Sequence, residues 1–204
     1  MKKGKLVVFS GPSGTGKGTI LKELIKQDNY AFSVSMTPRG PREGEADGVD
    51  YYFVTEEEFQ QTIDNGGFLE YVHKFQRSYG TPKAAVFDQM EKGINVVLDI
   101  EMEGALNVKR IFPEAVLIFV LPPSLEELHR RLVARGTETE EQIAIRTKDI
   151  QKEIEFISNY DYYIVNDKIE DAVKQAKAIV ENDSQENRIT DASEIIAKYK
   201  AEIK

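Results

Sequence analysis

A glycine-rich loop that ends in a lysine is the stretch of this sequence best suited to chemistry. The loop runs from Gly11 to Lys17, follows the apolar run Leu6 to Phe9, and precedes a segment with the apolar spacing of a helix. Backbone amides in such a loop point inward, and a lysine at the start of a helix adds a positive charge, so the loop can bind the phosphates of a nucleotide. The alternative is a glycine-rich turn with a surface lysine. The order of strand, loop and helix favours the phosphate site.

The residue after Lys17 departs from the usual pattern of such loops. A serine or threonine normally follows the lysine and gives its hydroxyl to magnesium, whereas here Gly18 follows and Thr19 comes one residue later. A carboxylate that could hold the metal is Asp99, at the end of the apolar run 94–99. Ligands of open α/β sheets bind beyond the carboxyl ends of the strands. We therefore predict that Asp99 binds magnesium, through water.

Three arginines and a glutamate have two interpretations each. Arg39 and Arg42 lie in the segment 36–50, which is rich in proline and glycine. They belong either to a solvated loop or to a clamp for a second phosphate. Glu70 stands among apolar residues of a short predicted strand and either faces water or has a function. Arg146 falls on the apolar stripe of a helix predicted to begin after 137, so its stem snorkels to solvent or its charge meets an anion.

The composition limits the class of protein. The chain has 204 residues, of which 41% are hydrophobic, so it can form one α/β domain with insertions. The net charge of −8 argues against general nucleic-acid binding, which usually needs a basic surface. There is no cysteine, which excludes disulfides and thiol catalysis and favours the cytoplasm. The N-terminal apolar run is too short for a signal peptide, and no run has transmembrane length.

Apolar runs bounded by turn-forming residues predict the strands to which these residues are attached. Helical spacing in the segments between them predicts a parallel sheet with helices packed on it. We predict a turn at 78–81, and capping boxes predict helices that begin after Thr55 and Ser124. The predicted strands cover 6–9, 30–35, 51–54, 68–72, 94–99, 115–120 and 162–165.

The last residues are predicted to form an amphipathic helix over 190–204. A capping signal at Asp191 and Glu194 marks its start. Its apolar stripe is a liability if exposed, so we expect the stripe to pack on the core or on a second subunit. The stripe consists of Ala192, Ile195, Ile196 and Tyr199.

Taken together, these motifs resemble the guanylate kinase family, whose members transfer a phosphoryl group from ATP to GMP in purine nucleotide metabolism. The sequence departs from the family pattern at Gly18, at Met36 and Pro38, at Glu101, where aspartate is common, and in the tail. The resemblance is carried by 11–19, 35–53, Glu70, 79–81, 99–101, 122–124, 135–141 and 165–167.

The resemblance implies the three-layer P-loop kinase fold of the α/β class. A parallel-sheet core would carry a GMP-binding lobe and a helical lid, all within one guanylate kinase-like domain. The expected boundaries are 1–34, 85–124 and 156–188 for the core, 35–84 for the lobe, 125–155 for the lid and 189–204 for the C-terminal helix.

The resemblance also implies a role for each site residue. Magnesium, held by Asp99, would accompany ATP. The residues implied in catalysis are Lys17, Arg39, Arg131, Arg135 and Arg146. Those implied in ATP binding are Gly11, Pro12, Ser13, Gly14, Thr15, Gly16, Lys17, Gly18, Thr19 and Asn166. Those implied in GMP binding are Ser35, Arg39, Arg42, Tyr51, Glu70, Tyr79, Thr81 and Glu101.

Transfer between two phosphates needs no general base, so the expected mechanism is in-line displacement by positioning and charge neutralisation. Two alternatives stay open. One is a non-catalytic interaction module of the same fold, which would not need Lys17 or Asp99. The other is a kinase for adenylate, thymidylate or a sugar phosphate, against which Glu70 with Ser35 and Thr81 is the distinguishing feature. The expected partners are ATP and GMP, without nucleic acid or membrane, and the sequence leaves monomer and homo-oligomer undecided.

Overall fold

The computed structural model describes residues 2–74, 77–135, 150 and 152–202. Its strands are β1 (Leu6–Ser10), β2 (Tyr30–Phe32), β3 (Ser35–Thr37), β4 (Tyr51–Phe53), β5 (Phe68–Lys74), β6 (Arg77–Pro82), β7 (Asn95–Asp99), β8 (Val116–Leu121) and β9 (Tyr162–Val165). Its α-helices are α1 (Lys17–Leu24), α2 (Glu56–Asp64), α3 (Lys83–Glu91), α4 (Met102–Ile111), α5 (Leu125–Arg135), α6 (Ile169–Asn182) and α7 (Ser193–Ala201), with a 3₁₀ turn at Phe156–Asn159.

A five-stranded parallel sheet forms the centre of the molecule. Its strand order is β2-β7-β1-β8-β9, so the first strand lies in the middle. Every residue of β1 is buried. Its first four residues are apolar because helices cover both faces of a parallel sheet. The loop that follows β1 therefore leaves the sheet at the centre of its carboxyl edge.

Helices cover both faces of this sheet. Alternate residues of β1 enter different cores, Val7 and Phe9 on one face and Leu6 and Val8 on the other. The first core takes in α1 and α6. The second takes in α3, α4, α5 and α7. This arrangement confirms the predicted α/β fold with three layers.

A second, four-stranded sheet has the order β4-β3-β6-β5. Strands β5 and β6 are antiparallel, and Glu70 on β5 stands opposite Thr81 on β6. The predicted capping box begins α2, since the Thr55 hydroxyl accepts from the Glu58 amide and the Glu58 carboxylate accepts from the Thr55 amide. The sheet thus sets the side chains of Glu70 and Thr81 face to face.

Two of the predicted elements are wrong. The segment 30–35 is not one strand, because β2 ends at Phe32 in the central sheet and β3 starts at Ser35 in the second sheet. The segment 78–81 is not a turn but part of β6. Gly80 belongs in that strand because a Cβ there would lie 2.7 Å from the Phe68 ring, so the glycine makes room for a core side chain.

The helix ends and the tail are close to prediction. Ser124 accepts from the Glu127 amide, but the Glu127 side chain does not return the bond, so only half of the second capping box forms. Asp191 accepts from the amide of Ser193 at the start of α7. The stripe of α7 packs on the core, as predicted, and Tyr199 is 1% exposed. Within the described ranges, no helix is long and apolar enough to cross a membrane.

Candidate active site

The glycine-rich loop at the end of β1 is closed by its own lysine. Lys17 Nζ donates hydrogen bonds to the carbonyl oxygens of Gly11, at 2.6 Å, and Pro12, at 3.1 Å. The Thr15 hydroxyl donates to the same Pro12 oxygen. Since Lys17 is the first residue of α1, its ammonium group adds to the positive end of the helix. The loop amides and this ammonium group can together attract an anion.

Asn166, which directly follows β9, supports the loop. Its side chain is 5% exposed, and Nδ2 donates to the Thr15 carbonyl at 2.7 Å. Its backbone amide donates to Leu121 at the end of β8, which fixes the residue at the edge of the sheet. A Cβ at position 16 would lie 2.3 Å from Nδ2, so Gly16 lets the loop approach this amide closely. In this structure Asn166 therefore shapes the loop.

Arg131 of α5 lies at the same edge. Its Nε donates to Glu127 at 2.7 Å, and its Nη1 donates to the Asn166 carbonyl at 3.0 Å. The hydrogen bonds from Arg130 and Arg131 hold the pKa of the Glu127 carboxyl at about 2. Arg135 is described only in its backbone, and Arg146 lies outside the described residues. The structure thus places one of the three predicted lid arginines beside the loop.

Asp99 is the last residue of β7, the strand that pairs with β1. It therefore lies at the same edge of the sheet as the loop. Burial raises the pKa of the Asp99 carboxyl, while the positive charge of Lys17 opposes this shift. Gly18 has no hydroxyl, and Thr19 is exposed in the first turn of α1. Within the described part of the chain, no group of three acidic or histidine side chains could hold a metal. One carboxylate fits a magnesium ion bound mainly by phosphates and water.

Glu70 is 6% exposed, so its interpretation as a solvent-facing residue is wrong. Its Oε1 accepts from the Thr81 hydroxyl at 2.6 Å, and Thr81 is 1% exposed. Burial raises the pKa of the Glu70 carboxyl, the bond from Thr81 opposes the rise, and the charge of Glu101 adds to it. A carboxylate kept from water needs donors, and one hydroxyl does not satisfy both oxygens. This pair is therefore suited to a ligand that offers adjacent N–H groups.

Arg39 is held in place by an acid and aromatic rings. Its guanidinium donates to both oxygens of Glu45, at 2.7 and 3.0 Å. It lies 5.1 Å from the centre of the Tyr51 ring and 5.6 Å from that of Phe53. The bonds from Arg39 and the Arg42 amide hold the pKa of Glu45 at about 2. The interpretation of this segment as a fully solvated loop is therefore wrong for Arg39.

Tyr79, Ser35 and Arg42, which are also implied in GMP binding, belong to the same lobe as Glu70 and Arg39. The Tyr79 ring lies 5.5 Å from the Tyr51 ring. Ser35 begins β3, directly opposite Tyr51 in the ladder. The Arg42 side chain is exposed. The structure thus brings Arg39, Tyr51 and Tyr79 together in one cluster.

Glu45 was missed as a site residue by the sequence reasoning. The signal available was an acid three residues after Arg42 and six after Arg39, within a loop long enough to fold back on itself. The spacing does not show which cation it meets. Only the folded loop shows that Glu45 bonds both the Arg39 side chain and the Arg42 backbone.

Comparison with known proteins agrees with this geometry. The family model described as guanylate kinase matches residues 3–183. The chain is 51% identical to the guanylate kinase of Clostridium tetani, with 88% of this chain and 86% of the relative covered. It is 49% identical to that of Clostridioides difficile, with 100% and 99% covered.

The chain belongs to the guanylate kinase family. It is thus a nucleoside-monophosphate kinase, and its reaction is the phosphorylation of GMP by ATP. The crystal structure of guanylate kinase from Anaplasma phagocytophilum is 32% identical and gives a TM-score of 0.68, over 100% of this chain and 98% of that chain. The guanylate kinase fold expected from the sequence is therefore confirmed.

The bond between Asn166 and the phosphate loop gives a first prediction. Asn166→Asp keeps the size of the side chain but turns an oxygen toward the Thr15 carbonyl and adds a negative charge below the phosphates. We expect KM for ATP to rise about tenfold, the scale of a lost buried hydrogen bond with added repulsion, and KM for GMP to stay within about twofold. Steady-state kinetics with each substrate varied in turn measure this.

Asn159→Asp is the matched control, because Asn159 also donates to a backbone carbonyl but at an exposed turn. Equal ATP constants in the two variants would contradict a role for Asn166 in shaping the loop.

A second prediction concerns Lys17. Lys17→Met removes the cation at the mouth of the loop and leaves the loop glycines in place. We expect kcat to fall by about 10² to 10³-fold, the scale of one electrostatic contact to the reacting phosphoryl group. Circular dichroism should stay close to that of the wild type. A folded variant with near-normal turnover would contradict the assignment of this loop to ATP.

Proposed function

We propose that the phosphoryl group passes by in-line displacement from ATP on the loop at Gly11 to Lys17 to GMP on the second sheet. The single observation that supports this division is the buried pair of Glu70 and Thr81, which stands in a sheet separate from the phosphate loop. A buried acid on that sheet is costly unless a ligand uses it. In this proposal the protein consists of a core, a GMP-binding lobe at 35–84 and a lid at 125–155.

Guanine fits the Glu70 site by its hydrogen-bond donors. Its N1–H and its exocyclic amine are adjacent donors that one carboxylate accepts together. Adenine has an unprotonated N1 there, whose lone pair would face the Glu70 charge. The Thr81 hydroxyl can donate one hydrogen bond, and it donates this bond to Glu70. Thr81 therefore orients the carboxylate in this arrangement. Ser35 then donates to the guanine O6, and Glu101 completes the guanine side.

The phosphate of GMP binds at the other cluster of the second sheet. Arg39 and Arg42 supply positive charge, and the hydroxyls of Tyr51 and Tyr79 supply neutral donors. Glu45 holds the Arg39 guanidinium before the nucleotide arrives, at 2.7 Å. An arginine whose side chain is already fixed loses less entropy when it binds a phosphate.

The transfer itself depends on charge and position. The acceptor is a phosphate oxygen, so no side chain has to remove a proton. Lys17 and Arg131 act at the donor side, and Arg135 and Arg146 join them from the lid. Asp99 would hold magnesium through water, and the ion would supply positive charge that offsets the negative charge of ATP.

The proposal also covers location and partners. The chain acts in the cytoplasm on ATP and GMP, and neither nucleic acid nor membrane is a partner. The net charge of −8 makes a general nucleic-acid surface unfavourable.

A coupled assay of ADP release tests the proposed substrates. The wild-type chain is supplied with ATP and, in turn, with GMP, AMP, TMP and a sugar phosphate. We expect turnover with GMP to exceed turnover with the others by about 10⁴-fold, the discrimination that a polar pocket achieves. Comparable turnover with AMP or TMP would support the alternative of another acceptor. Absence of turnover with all of them would support a non-catalytic module.

A third prediction concerns Glu70. Glu70→Gln keeps the shape of the side chain but replaces one acceptor oxygen with a donor, which opposes a guanine donor. We expect kcat/KM for GMP to fall at least about tenfold, the scale of one charged hydrogen bond, with KM for ATP almost unchanged. The control is Glu56→Gln, an exposed acid of α2 in the same lobe. Unaltered GMP efficiency in Glu70→Gln would contradict the assignment.

A fourth prediction is the pH dependence of GMP use. Burial raises the pKa of Glu70 above the ordinary value of 4.5. Below the raised pKa the carboxyl is protonated and loses an acceptor, so kcat/KM for GMP should fall as the pH falls through it. The fall should begin at a higher pH than an ordinary glutamate would give. In Glu70→Gln this acid limb should disappear, and its persistence would assign the limb to another group.

A further inference from the structure

The C-terminal helix α7 contacts the segment that joins the central sheet to α5. The Tyr199 hydroxyl donates to the carbonyl of Pro122, just beyond β8. The Glu202 carboxylate, one residue past the end of α7, accepts from the Leu125 amide at 2.7 Å. Both contacts come from residues beyond 3–183, the part of the chain that the family model matches. They tie the end of the chain to the start of α5.

The bond from Leu125 matters because Leu125 is the first residue of α5. The first amides of a helix have no partner within the helix, and the helix dipole favours a negative charge there. Ser124 satisfies the Glu127 amide from within the same turn. Glu202 satisfies the Leu125 amide from 77 residues further along the chain. The tail thus contributes one hydrogen bond to the cap of α5.

Helix α5 in turn packs on the phosphate loop. A Cβ at Gly14 would lie 2.8 Å from the Leu128 side chain and 3.0 Å from that of Leu132, so the helix and the loop are in close contact. Both leucines are buried. Arg131 lies between them in sequence and donates to the Asn166 carbonyl. A shift of α5 would therefore move both the packing below the loop and Arg131.

The buried ring of Tyr199 holds α7 in place on the core. Its ring is buried against the same core as Leu128 and Leu132, and it is 1% exposed. Burial raises the pKa of the Tyr199 hydroxyl, so the group stays protonated and keeps its proton for Pro122. The pair of Lys200 and Glu155 adds a contact to the same helix, but both side chains are about half exposed, and such pairs contribute little.

We propose that Tyr199 and Glu202 are positioning residues for phosphoryl transfer, which hold α5 so that Leu128, Leu132 and Arg131 keep the donor site in shape. The proposal rests on the assignment of the loop at Gly11 to Lys17 to ATP. It gives the C-terminal helix a part in donor binding in addition to its part in the core. Acceptor binding on the second sheet should not depend on it.

The test uses full-length variants that keep the packing of α7. Tyr199→Phe removes only the hydroxyl, Glu202→Gln removes only the charge, and a third variant combines both. Glu194→Gln, an exposed acid on the same helix, is the control. For each variant, steady-state kinetics give KM for ATP, KM for GMP and kcat. Titration calorimetry with a non-hydrolysable ATP analogue gives its Kd, and thermal unfolding gives Tm.

In the double variant we expect KM for ATP and the analogue Kd to rise about three- to tenfold, with KM for GMP within about twofold, and the control unchanged. Each single variant should show part of this effect. A lower Tm with unchanged ATP constants would overturn the proposal, since the residues would then be only structural. Equal losses for ATP and GMP would overturn it as well. If the wild type transfers no phosphoryl group, the proposed function fails, and the analogue Kd still decides the role of the tail.

Discussion

The shape of the phosphate loop is the constraint on which the other parts of the molecule depend. Loop amides can face an anion only if neighbouring groups satisfy the loop carbonyls, because an unpaired buried carbonyl is costly. Here the Thr15 carbonyl is bonded by Asn166, and the Gly11 and Pro12 carbonyls are bonded by Lys17. The central position of β1 brings these supporting residues within reach of the loop. A loop at the sheet edge would lack β8, β9 and their following residues as supports.

The acceptor site shows a second use of burial. A carboxylate in a poorly solvated place is unfavourable in the free protein, and it gains its donors when a matching base arrives. Among the described residues, the hydrogen-bond partner of Glu70 is the Thr81 hydroxyl, and burial raises the pKa of the Glu70 carboxyl. The cost in the free state is what makes a mismatched base unfavourable in the bound state. The proposed selectivity for guanine and the raised pKa of Glu70 therefore have one cause, which is burial.

The sequence was sufficient for the parts of the fold that follow local rules. The long apolar strands, the capping box at Thr55 and the packed stripe of α7 depend on residues close in sequence, and the structure confirms them. The division of 30–35 into two strands depends on which sheet each half joins, which is a long-range choice. The segment 78–81 is predicted to be a turn because Gly80 favours turns, whereas Gly80 lies in β6 against the ring of Phe68, a residue on another strand.

In the candidate site, too, the features set by residues close in sequence could be predicted, and those set by distant contacts could not. The loop at Gly11 to Lys17 could be recognised because its chemistry needs consecutive residues. The burial of Glu70 could not be recognised from the sequence, because a short strand has two faces and its pattern alone does not show which face is covered. Glu45 and Glu202 act through partners that spacing does not reveal, Arg39 in a folded loop and Leu125 at a distance of 77 residues.

Charge is arranged locally because the chain as a whole is acidic. A protein of net charge −8 that binds two anionic nucleotides must concentrate its cations where the phosphates meet. In the acceptor clamp Glu45 neutralises Arg39, so a cation held against aromatic rings is not left unpaired in the free protein. In the proposed phosphate clamp, the exposed Arg42 supplies the net positive charge that attracts the phosphate. Glu127 plays the same part for Arg131 at the donor side. In each proposed site, an acid thus holds one cation in place, and the other cations are left to neutralise the charge of the substrate.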